Sequence, residues 1–125
     1  MYYPLPGEKV EVAVFPVLST LIHATDLHVG QRFEGITFEH ATWNRPNTGL
    51  GYVEQQSGAL VEHPGLECLD YEWLPMPSNV VFESCSSVVI TNCTFRHLGA
   101  GALQFRGGAK NNSVVHSKFW DVSGT

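Results

Sequence analysis

A repeat with a spacing of about 24 residues limits what this chain can fold into more than any other feature. Ile90-Thr91-Asn92-Cys93-Thr94-Phe95-Arg96-His97-Leu98 can be laid over Val114-Val115-His116-Ser117-Lys118-Phe119-Trp120-Asp121-Val122. β-Branched residues meet β-branched residues, Phe95 meets Phe119, and Leu98 meets Val122. An earlier stretch, Phe33 to His40, fits the same frame. Its Thr37-Phe38-Glu39-His40 shares three of four residues with Thr94-Phe95-Arg96-His97. Self-similarity at a fixed spacing in the low twenties signals stacked units, none of which can bury its inner face alone.

The units are made of short β-branched runs, Val80-Val81-Phe82, Val88-Val89-Ile90, Ala102-Leu103-Gln104-Phe105 and Ser113-Val114-Val115, and no segment keeps helical periodicity over three turns. Short strands on that spacing predict an all-β chain, a parallel β-helix in which each strand pairs with its equivalent one coil away. The inward positions would be Val88, Ile90, Phe95, Leu103, Phe105, Val114 and Phe119. Asn92 falls where a strand turns a corner, and Asn suits a corner because it tolerates the left-handed backbone region. That role competes with glycosylation of the Asn92-Cys93-Thr94 and Asn111-Asn112-Ser113 sequons. Gly99, Gly101, Gly107 and Gly108 are expected to supply positive φ at other corners. Leucine-rich repeats share a similar spacing but need a Leu frame that is absent here. A β-sandwich would explain alternating strands but not the offset.

Residues 1–30 read as strands leading into the repeat; Lys9-Val10-Glu11-Val12-Ala13-Val14 alternates with period two. Residues 31–125 carry the coils, interrupted at about 42–77 by a loop-rich insertion holding Trp43, Tyr52, Tyr71 and Trp73. Within it, residues 53–60 suit a strand or a short helix. At one coil per repeat, a chain of 125 residues leaves three to four coils once the insertion is set aside, so it is expected to be a piece of a larger array.

Seven basic residues against twelve acidic ones, net −5, argue against an electrostatic nucleic-acid binder, which needs a basic surface. No apolar run is long enough for a membrane span, and no signal peptide is visible in Met1 to Gly7. Cys68, Cys85 and Cys93 lack zinc-ligand spacing and read as small, half-buried hydrophobes; one disulfide with a leftover thiol is the alternative.

The run Val88-Val89-Ile90-Thr91-Asn92-Cys93-Thr94-Phe95, the strand Gly101-Ala102-Leu103-Gln104-Phe105, the segment Asn111-Asn112-Ser113-Val114-Val115 and the closing Phe119-Trp120-Asp121-Val122-Ser123-Gly124 resemble right-handed parallel β-helix proteins of the pectin-lyase-like superfamily. Phe33 to Trp43, Gly51 to Gln56 and Tyr2 to Glu8 are similar to the opening segments of members grouped with glycoside hydrolases. The resemblance implies a right-handed coil. It also implies a polysaccharide or other glycan as partner, bound in a groove on one outer face, and an extracellular or cell-surface setting. It does not fix a reaction, because one fold hosts many chemistries.

Glycoside hydrolysis needs two carboxyls, and β-elimination needs a base with a cation beside it. Asp121 is the first catalytic candidate. It stands beside Trp120, an aromatic that would stack on a sugar, and aligns with His97 one repeat earlier. Its alternative role is a corner cap bonded to nearby backbone. His97 is the second candidate and Glu54 the third; their alternatives are a corner histidine and a solvated loop carboxylate. Trp120, Tyr52, Arg96 and His40 are the expected substrate-binding residues. Hydrolysis of a polysaccharide is the leading expectation. A non-catalytic glycan-binding or structural β-helix is the alternative, and a lyase using Arg96 or Arg106 is the third. No cofactor and no metal site is expected, although calcium leaves no short signature outside the EF-hand.

Overall fold

The computed structural model describes residues 5–9, 12–44, 52–55, 58–62 and 73–124. The described part is all-β, mostly in parallel sheets, with no helix. No helix there is long and apolar enough to cross a membrane. The strands are β1 (Ile22–Thr25), β2 (Arg32–Glu34), β3 (Thr37–Ala41), β4 (Tyr52–Gln55), β5 (Gly58–Glu62), β6 (Trp73–Pro75), β7 (Ser78–Glu83), β8 (Val89–Thr91), β9 (Thr94–Arg106), β10 (Ser113–Val115) and β11 (Lys118–Gly124).

The registers reproduce the spacing read from sequence. β10 runs parallel to β8 with Ser113 opposite Val89, and β11 runs parallel to β9 with Phe119 opposite Phe95, each pair one repeat apart. On the other side of β8 and β9 lie β2 and β3, with Phe33 opposite Ile90 and Phe38 opposite Phe95. β9 is long enough to serve two sets of partners. Its first part pairs with β3 and β11, and its second part pairs with β7, Val80 opposite Leu103 and Phe82 opposite Phe105. β1 completes that side on β7, Ile22 opposite Val80. Residues 52–55, 58–62 and 73–75, inside the interval expected to be loop-rich, form an antiparallel sheet in the order β4-β5-β6.

The corners repeat with the strands. Residues with positive φ recur in register: Gly30, Ser87 and Asn111; Gly35, Asn92 and His116; His40, His97 and Asp121. Left-handed backbone disfavours most side chains by about 1 kcal/mol or more, and glycine or short polar residues carry it best. Asn92, with φ 52°, takes the corner role expected of it, and Gly107 and Gly108 have positive φ as expected. Gly99 and Gly101 do not. They are small because neighbours crowd them: an added Cβ would lie 2.8 Å from the Trp43 backbone nitrogen at Gly99 and 2.5 Å from Ser78 Oγ at Gly101.

The core lies between the parallel sheets. Val80, Phe82, Val88, Ile90, Phe95 and Leu98 are fully buried, with the Cys85 and Cys93 thiols among them. Phenylalanines stack from rung to rung, Phe38 on Phe95 at 4.9 Å and Phe95 on Phe119 at 4.6 Å between ring centroids. Of the residues expected inside, Val88, Ile90 and Phe95 are buried, and Leu103 and Phe105 pack against the core from its margin. Val114 and Phe119 stay 40% and 47% exposed. The reason is positional: among the described residues, β10 and β11 have a paired strand on one side only. The alternating pattern at residues 9–14 is not a strand where it is described. Val12 and Val14 are exposed and pair with nothing in a sheet. Alternation marks a residue set that suits a strand but does not provide the neighbour that makes one.

Candidate functional site

The outer face of β3, β9 and β11 gathers most of the functional side chains expected from sequence. Parallel pairing puts equivalent residues about 4.8 Å apart, one rung per strand. Register therefore aligns Glu39, Arg96 and Trp120 in one outward column. The next column is the corner His40, His97 and Asp121, whose shared left-handed backbone sends three successive side chains the same way.

The two columns interlock. Arg96 Nε donates to Glu39 Oε2, and the guanidinium lies 5.7 Å from the centre of the Trp120 ring. The His40 and His97 rings stack at 5.1 Å, and the edge contact between His97 and Trp120 spans 4.8 Å. His97 Nδ1 and Asp121 Oδ2 are 2.6 Å apart, short enough for a charge-assisted hydrogen bond. Two carboxyl groups thus lean on one middle rung from opposite sides, Glu39 onto Arg96 and Asp121 onto His97. Asp121 and Trp120 also border a hollow of about 430 Å³ whose other walls include Leu103, Phe119 and Val122.

The hydrogen bond from Arg96 holds the Glu39 carboxyl below the usual glutamate range, against the opposing pull of partial desolvation. Arg96's charge and then the two histidines add to the same direction. Glu83 is lowered in the same way, first by a hydrogen bond from Arg106 and then by one from His23, and Glu34 by Arg32. Each of these carboxylates binds protons less readily folded than unfolded, so its contribution is complete above the ordinary value of 4.5 and is lost as the pH falls through the lower folded value. Stability measured by urea denaturation is expected to fall steadily from about pH 5 to about pH 3. Arg96→Gln is expected to make that fall shallower, because Glu39 then loses the hydrogen bond that lowers it most and the Arg96 charge with it. An unchanged acid slope in the variant would refute the assignment of this pair.

Asp121, His97, Trp120, Arg96 and His40 are brought together. Glu54 and Tyr52 lie on β4, and their side chains are outside the described residues. Arg106, the other cation considered, joins Glu83 and His23 rather than Asp121. Glu39 was not among the expected site residues, although a signal existed. It occupies the same frame position as Arg96, and opposite charges at equivalent positions of a stacked repeat fall side by side. Among the described residues no three His, Cys, Asp or Glu side chains are arranged to hold a metal ion. The chain matches no protein-family model, no curated protein and no solved structure.

Proposed function

We propose that the strands wind as a right-handed parallel β-helix whose β3–β9–β11 face binds an extended polysaccharide and hydrolyses its glycosidic bonds. The observation that carries this is the pair of carboxyls, Glu39 and Asp121, converging on one rung beside an exposed aromatic. The one-repeat offset of β7 to β9, β8 to β10 and β9 to β11, the matching longer offset of β1, β2 and β3 to their partners, and the recurring corners support the winding. The strands of Glu39 and Asp121 are two rungs apart, about 10 Å, and both side chains reach toward the middle rung, Glu39 to Arg96 and Asp121 to His97. That brings the carboxyls toward the roughly 6.5–9.5 Å that leaves room for an attacking water in an inverting hydrolase. Glu39, kept ionised by Arg96, is the base; the Asp121–His97 pair supplies the acid. Trp120 gives the sugar ring a stacking surface. Such chemistry belongs to an extracellular or cell-surface setting, where polysaccharides are met.

Incubation with a panel of neutral and acidic polysaccharides tests this. New reducing ends are expected without unsaturated products, and Glu39→Gln is expected to lower the rate by about 10²-fold or more. Unsaturated products would replace hydrolysis with elimination, for which Arg96 is the available cation. Retention on a polysaccharide without cleavage would support a second function, glycan binding alone. One observation favours it: both carboxyls already have protein partners, as in a static polar face. Neither retention nor cleavage across the panel would refute both.

A further inference from the structure

We infer that His97, not Asp121, is the residue that exchanges the proton in this site, through Nε2, and that Asp121 is its positioning residue. The inference rests on the hydrolytic function above for its substrate, but not for the geometry that carries it.

The imidazole of His97 is fixed on three sides. His40 stacks on one face with the ring planes 10° apart. Trp120 meets the ring nearly at right angles, at 74°. Asp121 Oδ2 lies 2.6 Å from Nδ1. An ionised carboxylate can only accept, so Nδ1 must carry the hydrogen and donate it. In the neutral ring that leaves Nε2 as the unprotonated nitrogen, and it is Nε2 that gains and loses the second proton. Asp121 is the more exposed partner, with 65% of its side chain open against 35% for His97. Among the described residues Asp121 Oδ1 and His97 Nε2 are alike in having no hydrogen-bond partner, but an ionised carboxylate has no proton to give, whereas the imidazolium carries one at Nε2. The arrangement matches the logic by which a carboxylate sets the tautomer of a catalytic histidine.

In the hydrolytic step the imidazolium gives its Nε2 proton to the leaving glycosidic oxygen as that oxygen takes the electron pair of the breaking bond. Glu39 removes a proton from the water whose oxygen bonds to the anomeric carbon. Solvent then returns a proton to His97 and takes one from Glu39. Arg96 Nε donates to Glu39 and not to the histidine.

Nitrogen-15 NMR of the imidazole groups in the whole chain tests the assignment without a substrate. Neutral His97 is expected as the Nδ1–H tautomer. Asp121→Asn is expected to shift it toward the Nε2–H form, and Asp121→Glu to restore much of the original ratio. A His97 found as Nε2–H in the parent protein, or a tautomer ratio unmoved by Asp121→Asn, overturns the inference even if glycan is cleaved. On a cleaved glycan, Asp121→Asn and His97→Gln are each expected to lower kcat by about 10²- to 10⁴-fold with KM little changed. Full activity in His97→Gln likewise overturns it. If the tautomer behaves as expected and no glycan is bound or cleaved, the positioning of His97 by Asp121 stands and the hydrolytic function falls.

Discussion

Phe95→Ala is expected to remove about 3–5 kcal/mol of stability, a large share of what a domain of this size possesses. Phe95 has no exposed surface and is the middle ring of the Phe38–Phe95–Phe119 stack. It belongs to the strand on which β3 and β11 both pair, so the cavity would open where the sheets depend on one another. Close packing on both sides leaves few ways for the gap to collapse. Phe119→Ala removes the same atoms from a ring that is 47% exposed, and its effect is expected to be less than half as large. Urea unfolding of both variants measures the difference. Equal losses would mean that Phe119 is covered in solution, or that Phe95 is not central to the stack.

That contrast shows what was legible in the sequence. The stacking partner of each strand could be read, because the offset between Phe95 and Phe119 survives as the pairing register. Depth of burial could not, because a repeat fixes which residues are equivalent and not how many neighbours each copy has. The corners were half legible. Asn92 and Gly107 follow from backbone chemistry that acts locally. The small size of Gly99 and Gly101 answers to Trp43 and Ser78, residues distant in sequence or on another strand, and local pattern carries no record of that.

The site divides the same way. Asp121 beside His97 was visible as one repeat spacing. Glu39 and Arg96 are separated by far more chain than one repeat, because the interval holding β4, β5 and β6 intervenes between the two rungs. The frame match at residues 37–40 already implied their pairing, but only if the intervening chain leaves and rejoins the stack without shifting the register. That is a property of the fold and not of either segment.

Asn79→Ala is expected to cost about 3 kcal/mol, more than most polar-to-alanine changes, because one side chain joins three segments. Asn79 is fully buried. Its Nδ2 donates to the Ser19 carbonyl at 2.7 Å and to the Thr42 carbonyl at 3.2 Å, while Oδ1 accepts from the Ala100 backbone N–H at 3.1 Å. The lead-in to β1, the exit from β3 and the bend of β9 are thereby tied at one point on β7. Alanine leaves the buried Ala100 N–H without that acceptor and releases both carbonyls. Asn79→Asp keeps the shape and tests the chemistry. It retains the acceptor for Ala100 but turns the donor into a second acceptor facing two carbonyls. A carboxyl so placed is harder to ionise folded than unfolded, so the folded value rises. Its neutral form is the one the fold tolerates, and the penalty grows as the pH climbs through the unfolded value. Relative to the parent at the same pH, Asn79→Asp is expected to be worse than Asn79→Ala near neutrality and milder in acid. Thermal melts of the two variants at both conditions decide it. An aspartate variant that loses the same stability at each pH would show that Nδ2 is not the group holding Ser19 and Thr42 in place.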